Sequence, residues 1–216
     1  MHICDGVLSW QVLAGGAVVA AAGVTVGLRR LGDDDIPKVG VMTAAIFVGS
    51  LIHVPVGPTS MHLMLVGLAG VLLGWAVFPT ALVALFLQIA LFGHGGLTTL
   101  GVNVVNFAVP ALACHYLFGG LVRGSAVGTR MSSIAGFAAG AVAILLASLL
   151  LGCEFWLTGR EYLSTALAAM VAHVPLMLVE GLLAATVLVS LGRVRPEMLH
   201  ASVLPPILRA EEAADA

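Results

Sequence analysis

Of 216 residues, 60% are hydrophobic and 9% are charged, with 9 Lys or Arg against 11 Asp or Glu and a net charge of −2. A water-soluble domain carries about 25% charged residues to keep its surface wet, so a soluble globular fold is excluded. The near-neutral balance gives no reason to expect nucleic acid as a partner.

The solvent for most of this surface is therefore lipid, where only helices and closed barrels satisfy every backbone N–H and C=O. The apolar runs are long and continuous, without the alternation of a barrel strand. An all-α, polytopic membrane protein of one domain is expected over residues 1–216.

The chain opens with a short segment, residues 1–8, with no Lys or Arg before Arg29 and no signal-like cleavage site, so it reads as the start of the mature protein. Here the Met1 amine, the amide nitrogen of His2 and the His2 imidazole can close fused chelate rings around one ion. A fourth nitrogen would complete a tetragonal set suited to Ni(II) or Cu(II) and able to hold Co(II); magnesium and calcium prefer oxygen. The bulky second residue argues that the initiator methionine is retained. The plainer alternative is an accident of a short tail.

Apolar spans are expected near residues 9–28, 39–55, 61–77, 79–92, 102–120, 133–152 and 163–191, against the roughly 20 residues that a crossing needs. The fourth is short, and Gly74 to Pro79 reads as a tight turn or a kink, so six spans is the alternative count. The first carries Gly15, Gly16, Ala20, Gly23 and Gly27, small enough for close helix packing. His53 ends the second. A Gly57-Pro58 turn opens the third and places His62 at a helix start near the membrane boundary, as a ligand or as an interfacial histidine. After the fourth comes His94 in a glycine-rich loop. Asn103 and Asn106 follow, three apart and on one helix face, either orienting a ligand or gluing helices together. His173 and Glu180 lie seven apart in the last span; ionisable residues at such depth are functional candidates, although Glu180 reads better as structural.

Loop charge orients the bundle. With seven spans and the N-terminus outside, Arg29, Arg30, Lys38, Arg123, Arg130, Arg193, Arg195 and Arg209 lie inside and only Arg160 outside, as the positive-inside bias requires. Residues 193–216 then form a cytoplasmic tail after transmembrane helices spanning 9–192. His2, His53, His62 and His94 fall on the outer side. Cys4, Cys114 and Cys153 are scattered and form neither a disulfide framework nor a zinc knuckle. Without a Walker A motif, ATP-driven work needs another subunit.

The stretch Met1-His2-Ile3-Cys4-Asp5-Gly6-Val7-Leu8-Ser9 resembles the MHIxDGxLS start of the CbiM/NikM family, the substrate-specificity subunits of energy-coupling factor transporters for cobalt and nickel. The resemblance continues through Pro58 to Leu63, through LFGHGGLTTLGVNVVNFAVPAL at 91–112, through Ala172 to Gly181, and through Val194 to Glu197. It implies seven helices, one added before a six-helix core, with no prosthetic group and Co²⁺ or Ni²⁺ as cargo. Its metal ligands would be Met1, His2 and His62, with Asp5, Asn103 and Asn106 as a supporting shell. Cys4 departs from the residues usual at its position and reads as a spectator or a soft extra ligand. The position of His94 varies among relatives, and neither His53 nor His173 is carried over as a ligand. The implied partners are a CbiQ-like coupling subunit, CbiO-like ATPases and a small CbiN-like accessory subunit, in a bacterial cytoplasmic membrane. A better match to CbiM members points to cobalt for cobalamin biosynthesis, with nickel the alternative. An intramembrane metalloenzyme is the rival from another class, but it would need a general base beside an open metal position, and no HExxH motif is present. A stand-alone channel or carrier would need ionisable groups along its path, for which only His173 and Glu180 qualify.

Overall fold

The computed structural model describes residues 2–51, 53–56, 59–124, 130–195 and 198–199; the side chains of 2, 53–56, 59–61, 124, 160 and 163 lie outside the description. Met1, the Gly57-Pro58 turn, the side chains of His2 and His53, and nearly all of the expected cytoplasmic tail beyond Arg195 thus fall outside the described residues.

A two-residue strand, β1 (His2–Ile3), leads into α1 (Trp10–Arg30). Arg29 and Arg30 end α1, where cations meet the negative end of the helix dipole. A 3₁₀ turn (Asp33–Asp35) leads to α2 (Ile36–Gly49), with a proline in its first turn, where the lost N–H costs nothing. Then come strands β2 (His53–Val56) and β3 (Thr59–His62), helix α3 (Val66–Leu73), a 3₁₀ turn (Gly74–Ala76) and α4 (Val77–Phe92). Three long helices complete the bundle: α5 (Leu100–Gly124), α6 (Arg130–Thr158) and α7 (Leu163–Val194).

Among the described residues, the regular structure is helical apart from one small sheet of order β1-β3-β2, which the apolar pattern of 39–77 does not reveal. Among the described residues, five segments are long and apolar enough to cross a membrane: Trp10–Arg30, Val66–Phe92, Leu100–Arg123, Arg130–Thr158 and Ser164–Val194. The expected second span contracts to the 14 residues of α2, about 21 Å of helix. The expected third span is not one helix, because its first five residues are the end of strand β3 and the link to α3. The expected turn before Pro79 is present, at Gly74 to Ala76.

Small residues let the helices approach closely. Gly16 faces Val102, Gly67 faces Ala139, Gly70 faces the Ala111 carbonyl, and Gly140 faces the backbone of Glu180. These pairings fix the level of α3. It starts opposite the middle of α7 and descends beside α5, where Gly74 meets the ring of His115. Helix α4 then turns back along α1, with Phe78 against Gly23. All eight residues of α3 are buried. The bundle thus has one end carrying the N-terminal segment and the 93–99 link, and an opposite end carrying Arg30 over the Trp75 ring and the Trp75–Tyr116 hydrogen bond.

Candidate metal centre

The N-terminal segment is clamped to the start of α5 by four residues of one loop and helix turn, Leu97, Thr98, Thr99 and Asn103. Asn103 grips Ile3 at both ends of its peptide units: the Ile3 N–H donates to Oδ1 at 2.9 Å, and Nδ2 donates to the Ile3 carbonyl at 3.1 Å. The Thr99 hydroxyl donates to that same carbonyl at 2.7 Å. Ile3 is fully buried, so every one of these polar groups needs its partner. Two residues further along, the Asp5 carboxylate accepts the Leu97 and Thr98 N–H groups at 3.2 and 3.0 Å, and the Thr98 hydroxyl as well. The Thr98 hydroxyl bond, helped by the backbone donors, holds the Asp5 carboxyl below its ordinary value. Gly96 makes room for this latch, since a Cβ there would collide with the Asp5 carboxylate and backbone.

The clamp sets β1 in register with β3: His2 faces Ser60 and Ile3 faces Thr59. Across the other edge of β3, His53 faces His62 and Pro55 faces Ser60. Directly opposed residues lie on one face of an antiparallel sheet, and so do residues two apart along a strand. Positions 2, 53 and 62 therefore share one face. Position 53, put on the outer side from the sequence but not carried over as a ligand, is thus opposite position 62 in the sheet.

His62 is not at a helix start on the membrane boundary. It sits on β3, 4% exposed, with Nδ1 3.1 Å from the Leu63 carbonyl. The link that follows goes deep: the N–H groups of Met64 and Leu65 both donate to Oε1 of Glu180, the second at 2.7 Å. Glu180 thereby caps the N-terminus of α3, where the helix dipole favours an anion, and holds Leu65 in a left-handed conformation at φ 56°. The structural reading of Glu180 holds.

Asn106 donates from Nδ2 to Oε2 of Glu154 at 2.7 Å while its own Oδ1 is buried without a partner. The two asparagines share a face of α5 but divide their work, Asn103 holding the N-terminal segment and Asn106 holding α6. Sequence reasoning passed over Glu154, although a carboxylate in an otherwise uncharged apolar run is itself a signal. It also passed over Gln88, fully buried on α4 with neither amide atom partnered. His173 is fully buried on α7, its Nδ1 hydrogen-bonded to the Ala169 carbonyl. His94 stacks loosely on Phe92 at 5.9 Å, and Cys4 is exposed with a free thiol. Among the described residues, no three His, Cys, Asp or Glu side chains form a ready-made metal cage; the expected set draws on Met1 and the His2 side chain, which lie outside them.

The sequence profile of CbiM, the cobalt uptake substrate-specific transmembrane region, matches residues 2–198. The chain belongs to the CbiM family. It is 40% identical over 201 residues to a putative metal transport protein of Haemophilus influenzae, covering 93% of this chain and 97% of that one. It is 36% identical to the fused nickel transport protein NikMN of Rhodobacter capsulatus, covering 89% of this chain but 57% of that longer protein. A crystal structure of a transition metal transporter superposes with a TM-score of 0.69 at 27% identity, covering 90% of this chain and 93% of that one. As a CbiM-family protein, the chain is a multi-pass membrane protein of cobalt and nickel transport.

Proposed function

We propose that this protein is the metal-capturing subunit of an ATP-driven energy-coupling factor importer in a bacterial cytoplasmic membrane. In this reading the Met1 amine, the His2 amide nitrogen and imidazole, and His62 bind Co²⁺ at the outer face, with Ni²⁺ as the alternative cargo. One observation carries it: Asn103 and Thr99 dock the N-terminal strand in a register that sets positions 2 and 62 on one sheet face. Such an arrangement suits capture, because a chelate supplied by a free chain end can wrap a hydrated ion and then be seated as a strand. Amide and imidazole donors must lose their protons to bind, so capture releases protons and weakens in acid.

The arginine-bearing ends of α1 and α5 lie at the end of the bundle opposite the N-terminal segment, which supports seven crossings with the N-terminus outside. Transport itself falls to partners: a CbiQ-like coupling subunit, CbiO-like ATPases and a CbiN-like accessory subunit. The R. capsulatus relative's name, NikMN, supports the last of these, and that relative also keeps nickel in view as cargo.

The deciding experiment adds one residue before Met1, or acetylates its amine, and measures Co²⁺ and Ni²⁺ binding to purified protein. Loss of tight binding is expected; undiminished affinity would sink the N-terminal chelate. Dependence of uptake on ATP in vesicles containing all subunits tests the importer reading.

A further inference from the structure

The end of the bundle opposite the N-terminal segment holds a cation that the fold leaves unanswered. Arg123 lies in the last turn of α5, where a basic side chain ordinarily serves the negative end of the helix dipole. Its side chain turns back instead. A Cβ built on Gly119, one turn earlier, would lie 2.9 Å from Nη2, 3.2 Å from Nη1 and 3.3 Å from Cζ, so the guanidinium rests against that glycine. Nη1 is buried there without an acceptor, and among the described residues no carboxylate pairs with Arg123. His115, one turn further back, has Nδ1 engaged with the Gly70 carbonyl and supplies no negative charge.

The surroundings are those of a lipid–water boundary. Tyr116 is seven residues before Arg123 and shares its helix face. The Tyr116 hydroxyl accepts from Trp75 Nε1 at 2.9 Å, which leaves its own proton free to donate, and the residue is 66% exposed. Arg30 lies over the Trp75 ring at 5.0 Å. Amphipathic aromatics and arginines gather where headgroups begin. Between Tyr116 and Arg123, Gly120 leaves open space over α5, and the neighbouring Leu117 and Leu121 are exposed. The unanswered charge calls for an anion, and the leucines beside the notch select one that brings hydrocarbon with it.

We propose that Arg123, Tyr116 and Arg30 form a binding site for the phosphate of an anionic phospholipid, with its acyl chains along Leu117 and Leu121. The Arg123 fork gives paired N–H bonds to phosphate oxygens, and the Tyr116 hydroxyl adds a third donor. Arg30, carried on Trp75, adds the charge that favours a net-negative headgroup over a zwitterionic one. Basic pockets between helices collect such headgroups in this way.

The test measures lipid binding to the full chain in detergent by native mass spectrometry, with phosphatidylglycerol, phosphatidylcholine and inorganic phosphate as probes. Arg123→Gln is compared with Arg193→Gln, which removes the same charge from the end of α7. Preference for phosphatidylglycerol, undisturbed by inorganic phosphate, at least about tenfold weaker in Arg123→Gln and near wild type in Arg193→Gln, supports the site. Equal losses in the two variants, or unchanged binding in Arg123→Gln, overturn it. Displacement by inorganic phosphate also overturns it, in favour of a free anion. A wild-type chain that holds no phosphatidylglycerol overturns it in favour of a carboxylate on a partner protein. Should Arg123→Gln fail to fold, Tyr116→Phe decides: weaker binding of phosphatidylglycerol supports the site, and binding equal to wild type overturns it.

Discussion

Replacing Asn103 by leucine tests the N-terminal clamp most directly. The substitution keeps the volume of the side chain and removes both of its hydrogen bonds to Ile3. The Ile3 N–H is then buried without an acceptor, which costs about 1–3 kcal/mol. The Ile3 carbonyl keeps the Thr99 hydroxyl, so losing its second donor adds only about 0.5–1.5 kcal/mol. The docked strand is thus weakened by about 2–4 kcal/mol, equivalent to a factor between about 30 and several hundred. Amide hydrogen exchange reads this directly, because local opening is governed by the free energy of that segment rather than of the whole fold. Protection of the Ile3 amide is expected to fall by that factor, while protection in the middle of α6 stays as it was. The Co²⁺ Kd rises by no more than the same factor, since affinity drops only as the docked fraction drops. Unchanged protection at Ile3 in a properly folded variant would refute the clamp.

Three further outcomes follow from the geometry. Glu180→Ala strips the acceptor from the Met64 and Leu65 N–H groups and is expected to destabilise the protein by about 2–5 kcal/mol, read as a lower melting temperature in detergent, with Glu180→Gln milder because it retains an acceptor oxygen. Gly96→Ala drives a methyl group into the Asp5 carboxylate and should accelerate exchange at residues 97–98; protection equal to wild type would contradict the packing there. In acid, two events separate: metal affinity falls below about pH 6.5 as imidazole ligands take up protons, whereas the Asp5 latch holds to below the ordinary value of 3.8. The sign follows from the direction of the shift. A carboxyl depressed in the folded state contributes stability above its ordinary value and loses it only as pH falls through the depressed one, so metal titrations at pH 5 should show weak binding with the N-terminal segment still protected.

Much of this was legible in the residues. Composition dictated a lipid-embedded helical chain, and the long runs at 9–28, 102–120, 133–152 and 163–191 became α1, α5, α6 and α7. Asp5 and Asn103, expected in one supporting shell with Asn106, bond across the N-terminal segment and the 97–103 stretch, whereas Asn106 bonds Glu154. The sheet was not legible, because a four-residue apolar strand such as β2 looks the same as the end of a membrane span. Its partner β3 lies inside the expected third span, and β1, which adds to the other edge of β3, comes from some fifty residues earlier, a distance that no local pattern encodes. For that reason His53 was placed on the outer side without a partner, and His62 was expected at a helix start rather than on a strand. Glu154 was missed for another: its partner Asn106 comes from a different helix, and the contact exists only once the helices pack.

The burial of α3 has a further consequence. Below the sheet stands a short helix, buried along its whole length and fastened to α7 through Glu180. The sheet is therefore the contents of a cup whose floor is closed. Under the proposed importer reading, a closed floor leaves the rim as the way in and out, so partner subunits would have to act on the protein as one body, against the bonds that hold that floor.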